Sequence, residues 1–166
     1  MIVRRYIPAA VAFFLMGIVL CVPAVRCLSL SSRLRPSERV LSRKALGGFC
    51  ISYTHSVNKG RVHDYYRTDG TVLVLDRTSF VSYGAGIPEA YETEGAVFSV
   101  DGGSYEITNL NRRLPRLLMA VGVIAEHAIS IDDGEVPLKT LFVPQTSVVF
   151  EVKTVPLIFY LISRRI

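Results

Sequence analysis

The sequence predicts an all-β fold, an antiparallel β-sandwich or barrel of roughly nine to eleven short strands. From Gly47 onward, short runs of alternating apolar and polar residues follow one another along the chain. Aspartate–glycine turn signals separate several of these runs, most clearly at Asp101-Gly102-Gly103 and Asp132-Asp133-Gly134. Half of the 166 residues are hydrophobic and 20% are charged, a composition that excludes a disordered chain and suits one modest domain.

The N-terminal residues form an apolar segment that precedes this domain. No charged residue occurs between Ile7 and Val25, a run of 19 positions that follows Arg4 and Arg5. As a helix it would be about 28 Å long, close to the hydrocarbon thickness of a bilayer. We therefore predict a signal peptide or membrane anchor over residues 1–28. An uncleaved anchor is favoured because the run is longer than a usual signal-peptide core.

A basic, serine-rich segment follows, and residues 29–46 are predicted to be a juxtamembrane linker. Cations on both sides of the apolar run leave its orientation open. A strict charge count favours a cytoplasmic C-terminal side, whereas a leading apolar segment before a β-rich domain is typical of export. We predict a cell-membrane protein with residues 47–166 as an extracytoplasmic domain, either anchored or released by cleavage. Whether Cys27 and Cys50 pair is left open.

The predicted strands follow from alternation and from the turn residues between them. The stretch Leu114–His127 suits either a buried helix or two strands, and we predict two strands. From Ala45 onward there are 11 basic and 13 acidic residues, so no nucleic-acid partner is expected. The predicted strands are Phe49–Val57, Val62–Thr68, Thr71–Asp76, Thr78–Tyr83, Val97–Val100, Tyr105–Leu110, Ala125–Ile131, Glu135–Leu138, Leu141–Val143, Ser147–Lys153 and Val155–Ile162.

Histidines provide the first candidate chemistry. His55 precedes Ser56, but neighbours on a strand point to opposite faces, which argues against a nucleophile–base pair. A metal or hydrolytic site could form if His55, His63, Asp64 and His127 converge. Their spacing matches no standard zinc signature, so hydrogen-bonded histidines on a sheet are the favoured interpretation. No catalytic residue, metal or cofactor is predicted.

Two loops are candidate binding elements. The glycine-bearing loop with Tyr83, Gly84 and Gly86 either presents backbone amides to an anion or makes a tight crossing between sheets. The string Asn109–Pro115 combines two turn-forming asparagines, Asn109 and Asn111, with Arg112 and Arg113 and nearby Arg116. Guanidinium groups bind carboxylates bidentately, so this string predicts an organic-acid site, an acidic partner or a solvated basic loop.

These segments resemble a known family when taken in order along the chain. They are Tyr53–Val57, Phe80 with Ser82–Pro88, Asn109–Pro115, Val121-Gly122 and His127. They resemble a small bacterial family of domains of unknown function, commonly encoded beside TAXI-type TRAP transporters. The resemblance runs from Phe49 to Leu138. It implies a small protein with an N-terminal export or anchor segment, and it supplies no catalytic residue.

Together these observations favour a membrane-anchored accessory of a TRAP-type carboxylate transporter. It would contact the permease, the solute receptor or a small carboxylate. The alternatives are a metal-dependent or hydrolytic enzyme using the histidine set and a structural envelope protein. The residues expected to bind the ligand or partner are His55, Ser56, Tyr83, Gly84, Gly86, Asn109, Asn111, Arg112 and Arg113.

Overall fold

The computed structural model describes residues 11, 14–57, 59–82 and 93–166. This part of the chain is mostly β, as predicted, with thirteen strands in two sheets, more than the number expected from the sequence. The strands are β1 (Pro23–Ser32), β2 (Arg39–Ser42), β3 (Phe49–Thr54), β4 (Arg61–Asp69), β5 (Val72–Phe80), β6 (Val97–Asp101), β7 (Ser104–Thr108), β8 (Arg112–Leu114), β9 (Leu117–Ala120), β10 (Ala128–Ile131), β11 (Gly134–Pro137), β12 (Ser147–Pro156) and β13 (Arg164–Arg165).

The smaller sheet has the order β13-β2-β1-β12-β9, and β13 runs parallel to β2 while the other pairs are antiparallel. The larger sheet has the order β11-β10-β3-β4-β5-β7-β6, and β8 pairs with β5 beside this path. Its strand pairings among the described residues are all antiparallel. The predicted antiparallel arrangement therefore holds, apart from the short β13.

One hydrophobic core takes buried side chains from both sheets. From Ser147 to Lys153 of β12, partly buried and buried residues alternate, as expected for a strand with one face on a core. The fully buried members include Leu28, Leu30 and Phe150 of the smaller sheet and Ile51, Leu73, Ile107 and Ile129 of the larger sheet.

A second apolar cluster lies on the other face of the smaller sheet. Cys27, Leu41 and Val155 form it, and the helix Leu157–Ile162 packs Phe159 and Tyr160 against it. β1 therefore has buried residues on both faces, with Cys27 in this cluster and Leu28 in the main core.

The apolar run that was predicted to be a strand over Val155–Ile162 divides into two elements. β12 ends at Pro156, and the helix Leu157–Ile162 begins there. The fixed φ of proline is compatible with a helix start, and a short apolar run does not distinguish a strand from a helix. The predicted strand Leu141–Val143 is also wrong, because these residues lie in a turn region after the 3₁₀ turn Leu138–Thr140.

The residues 29–46, expected to be a linker, contribute regular structure. They contain the last four residues of β1, all of β2 and most of the 3₁₀ turn Lys44–Gly47. β1 pairs with β12 from Pro23 to Ser32 and with β2 from Leu28 to Ser31. These long-range partners bury a segment whose serines and arginines made it resemble a linker.

The predicted hairpin turns at Asp101-Gly102-Gly103 and Asp132-Asp133-Gly134 are confirmed, and they join β6 to β7 and β10 to β11. The turn that Thr68-Asp69-Gly70 also predicts from the sequence joins β4 to β5. The predicted strand Phe49–Val57 ends earlier, at Thr54, because a turn begins after His55. The prediction of two strands within Leu114–His127 is wrong, because after Pro115 only β9 forms and residues 121–127 are irregular.

The described N-terminal residues include a helix over residues 14–21 that leads into β1. Most of its apolar side chains are exposed, and Phe14 is 70% accessible. Within the described part of the chain, no helix is both long and apolar enough to cross a membrane.

Candidate functional site

A polar cluster lies on the core-facing side of the larger sheet. Asp64 is opposite Ile51 on β3 and Thr78 on β5. The Thr78 hydroxyl donates a 2.7 Å hydrogen bond to Oδ1 of Asp64, and the Tyr53 side chain also bonds this carboxyl group. Burial raises the pKa of Asp64, while the two hydrogen bonds act in the opposite direction. Burial and the charge of Asp64 raise the pKa of Tyr53.

His127 extends this cluster through Tyr53. The two rings stack with centroids 5.6 Å apart. Nδ1 of His127 accepts a 3.1 Å hydrogen bond from the backbone N–H of Gly122. Burial, and secondarily the Arg61 charge, lower the pKa of His127. A neutral ring with one nitrogen engaged by the backbone is a structural histidine that holds the loop over residues 121–127.

The other two histidines do not join this cluster into a metal site. His55 is buried in a turn, where its Nδ1 accepts a 3.2 Å hydrogen bond from the N–H of Val57, and Ser56 is exposed. His63 precedes Asp64 on β4 and therefore points to the opposite face. Among the residues that the structure describes, no three His, Cys, Asp or Glu side chains are arranged to hold a metal ion.

The outward face of the larger sheet has a cleft of about 380 Å³ beside Cys50, His63 and Tyr65. Burial raises the pKa of Cys50 to about 11, so its thiol is protonated at neutral pH. Burial also lowers the pKa of His63. Cys27 and Cys50 are both free thiols and lie in different sheets. At neutral pH the Cys50 side chain in this cleft is therefore a thiol and not a thiolate.

The arginines near this cleft are engaged by the protein itself. Arg61 donates hydrogen bonds to Ser52 at 2.7 Å and to Glu135 at 3.3 Å. Arg77 lies over the Tyr65 ring at 3.7 Å and forms a 2.9 Å ion pair with Glu106. These contacts stabilise the sheet face and leave the guanidinium groups unsuited to capturing an anion.

The Asn109–Pro115 string packs against the β4–β5 hairpin. Asn109 and Asn111 have φ values of 61° and 46°, a region that asparagine tolerates better than most residues. Leu110 between them is only 3% exposed, and its N–H donates to the carbonyl of Asp76 at 3.0 Å. Oδ1 of Asn111 accepts a 2.9 Å hydrogen bond from Arg67. Both asparagines therefore shape the turn, and Asn111 also ties it to β4.

The two arginines of this string have different environments. Nη1 of Arg113 is 2.6 Å from Oδ2 of Asp69, and this contact lowers the pKa of Asp69. Arg112 is exposed and makes no side-chain hydrogen bond or ion pair within the described residues. Of the pair predicted to bind an acid, Arg112 is the one available to an external partner.

A pocket of about 190 Å³ lies beside Arg116, the residue that follows the Asn109–Pro115 string. Arg33, Arg116, Leu118 and Val149 line it. Neither arginine side chain has a hydrogen-bond or ion-pair partner among the residues that the structure describes. Arg33 was assigned to a linker, and only the pairing of β1 with β12 and of β12 with β9 places it beside Arg116. The cation cluster at Arg116 was the only sequence signal for this pocket.

The structure thus separates the residues predicted to form a site. The buried histidine turn, the asparagine turn and the arginine pocket are distinct features. The predicted loop residues Tyr83, Gly84 and Gly86 lie outside the described residues.

A protein-family model described as a domain of unknown function, DUF1850, matches residues 49–138. The match covers more than half of the 166 residues. The chain belongs to the DUF1850 family. No curated protein and no solved structure matches the chain.

The DUF1850 match extends from β3 to the start of the 3₁₀ turn at Leu138. It includes the Asp64 cluster, the asparagine turn and Arg116, whereas Arg33 lies outside it. The pocket between Arg33 and Arg116 therefore joins the DUF1850 region to the strand that precedes it.

Proposed function

We propose that this DUF1850 chain is a membrane-anchored extracytoplasmic domain that binds a small organic carboxylate and acts as an accessory of a TRAP-type carboxylate transporter. The observation that carries the proposal is the pocket lined by Arg33 and Arg116, which have no acidic partner in the described chain. Guanidinium forks match carboxylate geometry, so two of them at one pocket favour an acid ligand.

Four arginines of the larger sheet differ from this pair because the protein itself engages them. Arg61, Arg67, Arg77 and Arg113 all bond protein oxygens within the sheets and loops. A pocket of about 190 Å³ is smaller than the roughly 300–1,000 Å³ typical of sites for drug-sized ligands. The apolar Leu118 and Val149 can contact a short carbon skeleton. A carboxylate of a few carbons fits both the size and the lining.

The exposed Arg112 supports contact with a larger partner. It lies on β8, which pairs with β5 along one edge, and the neighbouring asparagine turn fixes its backbone. We assign this edge to contact with the permease or the solute receptor, in line with the resemblance to a family encoded beside TRAP transporters. The apolar N-terminal run supports the anchor.

The transporter role is tested by in-membrane crosslinking of the tagged full-length protein, followed by identification of the co-purifying proteins. Recovery of a TRAP permease or its solute receptor supports the proposal. Arg112→Gln is expected to reduce that recovery, and Arg165→Gln, which removes an exposed arginine elsewhere, is the matched control. Failure to recover either transporter component, with the protein expressed and membrane-bound, contradicts the accessory role.

A further inference from the structure

A third cleft, larger than the two described above, lies at the β2 side of the smaller sheet. It has a volume of about 760 Å³ and is formed by the start of β2, the segment around the 3₁₀ turn Leu138–Thr140 and the end of the helix Leu157–Ile162. All of its lining residues lie outside residues 49–138. It is therefore built from the parts of the chain that flank the DUF1850 match.

Three cations line this cleft: Arg39, Lys139 and Arg164. Its acidic lining residue Glu38 is already in a 3.0 Å ion pair with Arg35. The cleft therefore has an excess of positive charge that the described residues do not neutralise.

Arg39 is the most informative of these cations. Its guanidinium lies 5.4 Å from the centroid of the Phe159 ring, and its Nε is buried without a hydrogen-bond partner. A buried charged donor that lacks an acceptor is uncommon in folded proteins and calls for an explanation. Arg164, by contrast, is held at the cleft by donating from Nη2 to the carbonyl of Thr140 at 3.2 Å.

The rest of the lining includes a substantial apolar wall. Phe142 is buried, Phe159 is partly buried, and Val143 and Ile162 are exposed. Ile162 is 77% accessible although it is a large apolar residue. Cations and exposed apolar side chains thus line the same cleft.

We propose that this cleft binds an anionic amphiphile, with its carboxylate or phosphate head at Arg39, Lys139 and Arg164 and its alkyl chain along Phe142, Phe159 and Ile162. The volume lies within the roughly 300–1,000 Å³ range of small-molecule sites. A free fatty carboxylate and an anionic phospholipid share this chemistry. The site is separate from the Arg33–Arg116 pocket and does not depend on it.

The test uses full-length protein in phosphatidylcholine nanodiscs, with empty nanodiscs as the blank, and titrates octanoate, acetate and octanol calorimetrically. Octanoate is expected to bind about tenfold or more tightly than acetate, because its chain is buried. Octanol, which lacks the charge, is expected to bind more weakly than octanoate. Dihexanoylphosphatidylglycerol is the phospholipid probe, and whichever anion binds more tightly identifies the source.

Variants connect this binding to the cleft. Arg164→Gln and Lys139→Gln are expected to weaken octanoate binding about tenfold, and Ile162→Gln to lower the octanoate-to-acetate preference. Because both cations are exposed, these changes avoid the folding risk of altering Arg39. Arg165→Gln, outside the cleft lining, and Arg116→Gln, in the other pocket, should leave the chain-dependent preference unchanged.

Three results would overturn the proposal. One is equal affinity for octanoate and acetate, which means that no chain is bound. Another is equal affinity for octanol and octanoate, which means that the head charge is not recognised. The third is an octanoate affinity that stays at the wild-type value in Arg164→Gln and in Lys139→Gln, as it is expected to do in the Arg165→Gln control.

Discussion

The hydroxyl of Thr78 donates a 2.7 Å hydrogen bond to the carboxyl of Asp64, and Thr78 is fully buried. The pair lies on the side of the larger sheet that faces the core. Burial raises the pKa of Asp64 above its ordinary value of 3.8, although the bonds from Thr78 and Tyr53 favour the charged form. This carboxyl group therefore makes the stability of the fold depend on pH.

The first prediction concerns that pH dependence. Since the pKa of Asp64 is higher in the folded than in the unfolded chain, the folded state binds more protons between the two values. The contribution of Asp64 to the free energy of unfolding is full below pH 3.8 and declines as pH rises through its folded pKa. Asp64→Asn should remove this decline, as measured by urea unfolding across the pH range.

Thr78→Val provides the matched variant for this prediction. It removes a bond that favours the charged carboxylate, so the pKa of Asp64 should rise further and the decline in stability should extend to higher pH. An Asp64→Asn protein with the same pH slope as wild type would show that other groups cause the dependence.

The second prediction concerns the ion pair between Arg113 and Asp69. The hydrogen bond and charge of Arg113 lower the pKa of Asp69, so Arg113→Gln should raise it towards 3.8. Carboxyl ¹³C NMR during a pH titration measures this shift. Arg112→Gln, one position away, should leave the Asp69 pKa unchanged. Equal shifts in both variants would mean that the effect comes from general charge and not from this contact.

The third prediction concerns Leu110, the buried residue of the asparagine turn. Leu110→Ala should lower the free energy of unfolding by about 2–5 kcal/mol, because it leaves a cavity in the core. Leu118→Ala, at a residue that is 51% exposed, should change it by no more than about 0.5 kcal/mol. Urea unfolding measures both. Similar losses would mean that Leu110 is not a core residue.

The fourth prediction concerns the three cysteines. Cys21 is exposed, whereas Cys27 and Cys50 are buried and burial raises the pKa of both thiols. An alkylating reagent at pH 7.5 should therefore leave Cys27 and Cys50 unmodified in the folded protein and label both after denaturation, whereas Cys21 lies in the proposed anchor and does not enter the comparison. Mass spectrometry of the modified peptides gives the result. Rapid folded-state labelling of Cys50 would contradict its placement between β4 and β10.

The features that could be predicted from sequence depend on local chemistry. The Asp101-Gly102-Gly103 turn forms the hairpin between β6 and β7 because glycine supplies the positive φ values that the turn needs. The alternation of apolar and polar residues along β12 likewise predicts which face of this strand is buried. Such signals are contained within a few residues.

The features that could not be predicted depend on distant partners. Ser29 and Ser31 suggested a linker, yet β2 and β12 enclose them in the smaller sheet. Arg33 and Arg116 have no sequence relationship that indicates a shared pocket. The apolar run after Val155 is also too short for its hydrophobic periodicity to distinguish a helix from a strand. The helix that packs on Cys27 was therefore not predicted.

The most direct test of carboxylate binding is calorimetric titration of the full-length protein with succinate, malate and 2-oxoglutarate. The proposal predicts saturable binding of at least one acid, weakened about tenfold or more in Arg33→Gln and in Arg116→Gln. Arg165→Gln should retain the wild-type affinity. No saturable binding of any of these acids, or equal affinity in the wild type and both pocket variants, would contradict a carboxylate site between Arg33 and Arg116.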